Sequence, residues 1–493
     1  MIKNLFKDPI EYIPSQVVPI LVGIFSLPIF TRIFPPADYG NYSLVMATIS
    51  ILSTLTGWVG MSIIRFYPAY EKENRIEELK SESIKLTFLS ILIISIIFLF
   101  LLSAFHKHIP QLLHNLLVIG IIVFILMTLF TTLLTILRIK RKIKLYSAFF
   151  SWKSIAALLF GLIFVILFNF SADGLLWGIA VSICLALPVL WKTALGKFHI
   201  KRLKISNQVF KEMSKYSFPL VIGNLAAWVL SLSDRYLLQI FRGSQEVGIY
   251  SVSYKISEYS ILFLAALFAL SFNPLAITIW EKHGEQASQE FLTKGTRYFL
   301  MLCVPAVVGV SVLRNPILKI LSTPDYYQGS KIIPFVALGG LFFGLNQRFG
   351  MGLAFYKKTK YFMYSLIISG LVNLILNILL IPKFGYIAAA VTTLVSYMVL
   401  TLLTFVFSRK YFTWEFPFTS LLKIIFASGL MSIAVYYIGS ILTSITLWSL
   451  VLIIASGMLV YLSILFLLKE FKAIEIQELL RLKRKFLRKD IIE

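Results

Sequence analysis

Long apolar runs, separated by short polar segments, make up most of this chain. Fourteen of these runs reach the length of about 20 residues that a helix needs to cross a bilayer. They cover residues 12–34, 40–64, 83–105, 113–136, 146–169, 174–194, 214–241, 248–274, 293–314, 331–356, 361–381, 386–407, 419–441 and 447–468. The pattern predicts an all-α integral membrane protein with about 14 transmembrane helices.

The composition agrees with a membrane protein. Hydrophobic residues make up 58% of the 493 residues, charged residues make up 14%, and the mean hydropathy is +0.84. A soluble domain has about 45–50% apolar and about 25% charged residues, so a soluble globular protein is excluded. The net charge of +24 would ordinarily suggest nucleic-acid binding. Because no soluble basic domain is long enough to carry such a site, we predict no nucleic-acid partner.

The basic residues lie mostly on one side of the predicted membrane. With the N-terminus inside and alternating spans, inner segments hold 36 of the 47 Lys and Arg residues, and outer segments hold seven. This asymmetry predicts an even number of spans with both termini in the cytoplasm. The basic tail, residues 469–493, is predicted to lie as a helix on the inner surface against anionic lipids; docking to a protein partner is the alternative.

A short internal repeat suggests two lobes. The segments Asp38-Tyr-Gly-Asn-Tyr-Ser-Leu-Val45 and Glu246-Val-Gly-Ile-Tyr-Ser-Val-Ser253 share Gly, Tyr and Ser at one offset of 208. The offset carries spans 1–6 onto spans 7–12, which predicts a parallel repeat of the kind found in transporters; chance similarity is the alternative. The predicted units are an N-terminal lobe (1–200), a C-terminal lobe (201–412), two further spans (413–468) and the tail (469–493).

Ionisable residues within or bordering the spans are costly and therefore mark functional candidates. Basic residues outnumber acidic ones, which predicts a cationic cavity between the lobes for an anionic group such as phosphate or pyrophosphate. The predicted binding residues are Arg32, Arg65, Lys153, Arg235, Lys255 and Arg348. The acidic residues, which could serve ion coupling, are Asp234 and Glu258.

Each of these residues also has a structural interpretation. Arg32, Arg65 and Lys153 lie close enough to span ends to extend their charges to the interface. Asp234 could form a structural pair with Arg235, and Glu258 could neutralise Lys255 from the next helical turn. The group as a whole is stronger evidence for a cavity than any one member.

Several catalytic and cofactor motifs are absent. The sequence contains no Gly-x-x-x-x-Gly-Lys-Ser/Thr, no His-Glu-x-x-His and no Gly-x-Ser-x-Gly. No loop carries a constellation of acid, base and nucleophile. We therefore expect a protein that is not an enzyme, that needs no cofactor or metal, and that does not hydrolyse ATP itself.

Some of the motifs also resemble those of a known family. The residues that carry the resemblance are Leu27-Pro-Ile-Phe-Thr-Arg-Ile-Phe34, Tyr39-Gly-Asn-Tyr42, Ser233-Asp-Arg-Tyr-Leu-Leu238, Val247-Gly-Ile-Tyr-Ser-Val-Ser-Tyr-Lys255 and Lys357-Lys-Thr-Lys360. In these motifs the sequence resembles the polysaccharide transporter family, within the superfamily of multidrug, oligosaccharidyl-lipid and polysaccharide exporters.

The resemblance implies a V-shaped, alternating-access flippase in a bacterial cytoplasmic (inner) membrane. Its substrate would be an undecaprenyl-pyrophosphate-linked oligosaccharide used for lipopolysaccharide O-antigen, capsule or exopolysaccharide. A polysaccharide polymerase and a chain-length regulator are the implied protein partners. The family's functional basic residues match Arg32, Arg65, Arg235 and Lys255 here, whereas Lys153 and Arg348 are inferred from position alone.

Three alternatives remain at this point. A cation-coupled multidrug exporter would use Asp234 and Glu258 as its ion site, although the first span lacks the acidic residue expected of that class. A peptidoglycan-precursor flippase would be a close relative of the leading hypothesis. A membrane scaffold for glycan assembly would use the basic tail as its docking element.

Overall fold

A computed structural model describes residues 2–196, 205–441 and 446–471, with side chains from residue 11 onward except at 270 and 271. The described residues form helices and contain no strands. The first part of the chain forms α1 (Ile2–Ile33), α2 (Pro36–Thr56), α3 (Trp58–Lys72), α4 (Ile76–Ala104), α5 (Gln111–Ile139), α6 (Ile143–Leu167) and α7 (Asp173–Leu195).

The second part of the chain also consists of helices. It forms α8 (Asn207–Arg242), α9 (Ser244–Ser257), a π-helical turn (Glu258–Leu262), α10 (Phe263–Val312), α11 (Arg314–Leu321), a 3₁₀ segment (Pro324–Ile332), α12 (Ile333–Phe355), α13 (Thr359–Arg409), α14 (Phe418–Ile441) and α15 (Leu447–Leu467). The all-α membrane fold that the apolar runs predict is confirmed.

Two helices are too long to cross a membrane once. α10 has 50 residues and α13 has 51, so each would extend about 75 Å if straight, against a hydrocarbon core of about 30 Å. Each contains one glycine with left-handed φ, Gly284 (77°) and Gly385 (58°), where two helices meet. The described residues hold 12 helical segments long and apolar enough to span a membrane. The predicted count of 14 requires that the helical parts before and after Gly284, and those before and after Gly385, each cross the membrane. This count stays a prediction.

Contacts near the helix ends show that these ends lie in two groups, at opposite ends of the molecule. At one end, which we call the basic end, Lys140 Nζ donates to the carbonyl oxygen of Ala194 at 2.6 Å. Burial and the neighbouring Lys80 lower the pKa of Lys140 to about 8. At the opposite end, the hydroxyl of Tyr326 donates to the carbonyl oxygen of Phe34 at 2.9 Å. The basic end carries the turns in which the sequence concentrates its lysines and arginines.

The repeat is visible in helix boundaries and in direct contacts. α4 (Ile76–Ala104) corresponds at the offset of 208 to the arm of α10 that begins after Gly284 and ends at Val312. α2 and α9 cross where repeat-related residues meet, and Ser43 Oγ donates to Ser251 Oγ at 2.8 Å. A side chain at Gly40 would collide with the backbone of α9, and one at Gly248 with the carbonyl of Pro36. The two halves therefore contact each other here through equivalent residues, as in an interface with two-fold symmetry.

The last two helices pack beside the second half. α14 lies against α10 and α15, and together with α12 they enclose an apolar core. The predicted domain boundaries stay predictions. The boundary near residue 200 and the tail from residue 472 onward lie outside the described residues.

Candidate functional site

Lys255 lies where the two halves of the molecule cross. It is the last basic residue of α9, and its side chain is partly buried. Its Nζ lies 5.4 Å from the ring centre of Tyr39 on α2, which is 1% exposed. Among the described residues, no carboxylate lies within 4.0 Å of this ammonium, and the Tyr39 hydroxyl has no hydrogen-bond partner. A partly buried lysine without a counter-ion leaves a site for an anion.

Glu258 follows Lys255 by three residues but does not pair with it in the described structure. It opens the π-helical turn Glu258–Leu262, in which one extra residue changes the helix rotation. The turn leads Tyr259 toward α1, where a side chain at Gly23 would meet the tyrosine ring. The interpretation that Glu258 neutralises Lys255 is therefore not supported. Such π turns are frequent at functional sites.

Arg235 and Asp234 form a closed, buried network. Arg235 is 5% exposed and Asp234 1%, and Nη1 of the arginine lies 3.1 Å from Oδ1 of the aspartate. The Tyr250 hydroxyl donates to the other carboxylate oxygen, and the guanidinium also donates to the carbonyl oxygen of Ser231 at 3.0 Å. The rings of Tyr250 and Tyr254 cover the guanidinium carbon at 5.5 and 4.9 Å.

This network bears on the predicted roles of Arg235 and Asp234, which both stay predictions. A guanidinium paired with a carboxylate and covered by two rings does not line a cavity, so the structure favours the structural role of Arg235 over substrate binding. The carboxylate of Asp234 already accepts bonds from Arg235 and Tyr250, which leaves little capacity for a coupling ion.

The other predicted cations are spread along the molecule. Arg32 is exposed at the opposite end, where it donates to the carbonyl oxygen of Ile320 at 3.2 Å and so joins α1 to α11. Arg65 is exposed toward the basic end, 5.9 Å from the ring centre of Tyr216 on α8. Both arginines therefore bridge the two halves near the molecule's ends.

Lys153 and Arg348 lie within single lobes. Lys153 is partly buried on α6, with Nζ 4.8 Å from the ring centre of Phe150 and no carboxylate partner among the described residues. Arg348 is 0% exposed on α12. Side chains of α10 enclose Arg348, so it does not face the space between the lobes in this structure, and its predicted role in substrate binding stays a prediction. The six cations do not form one cluster.

Sequence reasoning missed the tyrosines of the crossing. Tyr39 and Tyr42 lie on α2, and Tyr250 and Tyr254 on α9, each pair at helical spacing. The helical spacing of these tyrosines can be seen in the repeat segments of the sequence. However, tyrosine near a span end is also typical of membrane interfaces, so the spacing alone does not indicate a site. Only the crossing of α2 and α9 brings these rings together around Lys255 and Arg235.

An apolar cavity of about 620 Å³ opens between the lobes on the side of α4. At its wall, the hydroxyls of Thr48 and Tyr236 share a hydrogen bond of 2.6 Å, and Trp228 Nε1 donates to the carbonyl oxygen of Ala47 at 3.3 Å. The exposed side chains of Ile97 and Phe105 mark its opening. The lining comes from α2, α4, α5, α8 and α13 and from the turn after α4, so it belongs to both lobes.

Comparison with known proteins finds relatives along most of the chain. It is 25% identical to the uncharacterized membrane protein MJ1068 of Methanocaldococcus jannaschii, over 85% of this chain and 87% of that protein. It is 23% identical to the probable low-salt glycan biosynthesis flippase Agl15 of Haloferax volcanii, over 63% of this chain and 65% of that protein.

A solved structure shares the fold. The lipid II flippase MurJ in an inward closed conformation matches with a TM-score of 0.75 and 21% identity, covering 91% of this chain and 96% of that chain. At this level of identity, the agreement shows the fold alone.

Family profiles identify the chain. The profile described as MatE matches residues 219–379. The profile described as polysaccharide biosynthesis protein matches residues 5–271, more than half of the chain, and includes both repeat segments and the crossing of α2 and α9. The chain therefore belongs to the polysaccharide biosynthesis protein family, within the superfamily of multidrug, oligosaccharidyl-lipid and polysaccharide exporters that its motifs predict.

Proposed function

We propose that this protein is a flippase for a lipid-linked oligosaccharide, and that it is not an enzyme. The finer proposal is that an undecaprenyl-pyrophosphate-linked repeat unit moves from the inner to the outer leaflet of a cytoplasmic membrane, with both termini in the cytoplasm. The product would serve a surface polysaccharide such as O-antigen or capsule. Family membership and the naming of the Haloferax relative as a probable flippase support the proposal.

One observation carries it: Lys255 lies at the crossing of the lobes, against Tyr39 of the first lobe, without a carboxylate partner among the described residues. The head group of a lipid-linked oligosaccharide contains phosphate, which a lysine binds as a point charge. The Tyr39 hydroxyl, buried and without a hydrogen-bond partner, is a second donor at the same place.

The apolar cavity favours a substrate that has a lipid part. Its lining is contributed by both lobes and opens toward the surface that apolar side chains cover. A prenyl chain would remain in this apolar environment while the charged head group passes between the lobes. The lobes would rock about the contact of Ser43 with Ser251 and the two glycines beside it.

The test replaces Lys255 in protein reconstituted into vesicles. The probe is a short-chain polyprenyl-pyrophosphate oligosaccharide, and the readout is its accessibility to an added membrane-impermeant glycosidase. We expect Lys255→Ala to lower the flipping rate at least about ten-fold, the equivalent of 1.4 kcal/mol, and Lys255→Arg to retain most activity. Lys383→Ala, at an exposed lysine of the opposite end, is the matched control.

Equal flipping by wild type and Lys255→Ala would reject the assignment of Lys255. Absence of flipping by wild-type protein in correctly folded, sealed vesicles would reject the flippase proposal for this probe. In cells that lack their own flippase, the wild-type gene should restore surface polysaccharide and remove the lipid-linked intermediate that accumulates.

Cation-coupled multidrug export is the second candidate. The match of the MatE profile to residues 219–379 favours it, since this range contains Glu258 at the π turn. Here Glu258→Gln should abolish proton- or sodium-dependent efflux of a cationic dye from vesicles. Dye efflux that depends on Glu258, together with no oligosaccharide flipping, would support this candidate over the first.

A further inference from the structure

Arg348 is enclosed inside the second lobe. Its side chain is 0% exposed, and its guanidinium carbon lies 4.6, 4.5 and 5.2 Å from the ring centres of Phe268, Phe272 and Phe299. All three rings belong to α10, two before the bend at Gly284 and one after it. The bend thus wraps α10 around a single charged group of α12.

The hydrogen-bonding capacity of Arg348 is mostly unused. Nη1 donates to Oδ1 of Asn273 at 3.3 Å, whereas Nε and Nη2 have no partner in the structure. No ion pair within 4.0 Å joins Arg348 to a carboxylate among the described residues. A guanidinium has five donor hydrogens and stays charged, so it cannot relieve its burial by losing a proton.

The surrounding rings do not supply the missing charge. Cation–π contacts with three phenylalanines are favourable, but phenylalanine is a weaker partner than tryptophan, and the contacts recover only part of the hydration lost by a buried ion. Buried charges in proteins are paired, and an anion bound at Nε and Nη2 would complete the pairing.

We propose that Arg348 holds a small monovalent inorganic anion of the chloride type inside the second lobe. Its ligands are the Nε and Nη2 groups of Arg348, and Asn273 fixes the orientation of the guanidinium through Nη1. Because the side chain is fully enclosed, a lipid-linked head group does not reach it in this conformation. The proposal does not depend on which substrate the protein transports.

The experiment measures the melting temperature of the full-length protein in detergent, in sodium chloride and in sodium gluconate at equal ionic strength. For wild type we expect a saturable rise of several degrees with chloride, as ligand binding to the folded state requires. Arg348→Met should lose this rise, and Arg348→Lys should show a weaker one. Arg314→Met, at an exposed arginine, should respond as wild type does.

A second measurement uses the wild-type protein alone, in case the variants do not fold. Crystals grown in sodium bromide should show an anomalous peak within hydrogen-bonding distance of Nε or Nη2 of Arg348. Equal melting temperatures of wild type in chloride and gluconate would overturn the proposal, as would a full chloride response in Arg348→Met. Bromide bound only at sites remote from Arg348 would overturn it as well.

Discussion

Two arginines of the second lobe are buried, and their positive charges are compensated in different ways. Arg235, on α8, is paired with the adjacent Asp234 and covered by tyrosines. Arg348, on α12, is enclosed by phenylalanines, and two of its nitrogens have no hydrogen-bond partner among the described residues. The exposed fraction is 5% for Arg235 and 0% for Arg348, so exposure does not distinguish the two arginines. The difference lies in whether the chain itself supplies the compensating charge.

The comparison teaches how to separate structural from ligand-binding charges in a membrane protein. Where the chain neutralises a buried cation, the pair is a unit of the fold, and removing either half leaves the other uncompensated. Where the chain leaves the cation unpaired, as at Arg348 among the described residues, the compensating charge that we propose is an anion from outside the chain. Lys255 falls into the second group, at the lobe crossing.

The largest effect is expected for Asp234→Asn. Loss of the carboxylate leaves Arg235 buried without a counter-ion, which should cost about 3–5 kcal/mol of unfolding free energy. Thermal unfolding in one detergent, with folded yield as a second readout, measures the change; Asp325→Asn, at an exposed site, is the control. A loss below about 1 kcal/mol, within the range of an exposed ion pair, would remove the distinction between the two arginines.

An intermediate effect is expected for Tyr250→Phe. This change removes one donor to the carboxylate of Asp234 while the ring that covers Arg235 remains. A hydrogen bond to a charged group contributes about 1.5–3 kcal/mol, and the melting temperature should fall accordingly. Tyr436→Phe, on the exposed surface of α14, should have no measurable effect. Equal melting temperatures for the two variants would mean that the hydroxyl does not support the pair.

The smallest effect is expected for Arg348→Met in chloride-free buffer. Methionine fills a similar volume among Phe268, Phe272 and Phe299, and no partner carboxylate is left unpaired. Replacement of a buried charge by an apolar side chain is often neutral or stabilising, so the unfolding free energy should change by less than about 1 kcal/mol or rise. A loss comparable to that of Asp234→Asn would show that Arg348 has a partner inside the chain.

Hydropathy predicts where helices cross the membrane but not where they end. The predicted span 83–105 corresponds to α4, which in fact begins at Ile76. The extra turns carry Glu77 and Lys80, an ion pair beyond the apolar run. Polar residues of this kind continue a helix beyond the apolar run, since helical hydrogen bonds do not require an apolar environment. The bend at Gly284 lies in the polar segment between the predicted spans 248–274 and 293–314, so the sequence predicts an interruption there, although not that helical structure continues on both sides up to the glycine.

The candidate site was predictable as a set of residues but not as an arrangement. The sequence shows that Arg235, Lys255 and Arg348 are charged and lie in apolar surroundings. It does not show that Tyr250, 16 residues from Asp234, closes one network, or that α10 folds around Arg348. Those facts depend on which face of each helix meets a neighbour, and an almost entirely apolar helix has no polar face to indicate it.

The contact between Ser43 and Ser251 gives the chain some of the properties of a dimer. Gly40 approaches the backbone at Ser244, and Gly248 approaches Pro36, so the contacts are reciprocal at the offset of 208. A homodimer with two-fold symmetry has such an isologous interface, in which every substitution appears twice. Here the halves are covalently joined, so each side can change alone. At the position that Lys255 occupies in the second half, the first half carries Ala47, so the two sides of the crossing differ in charge.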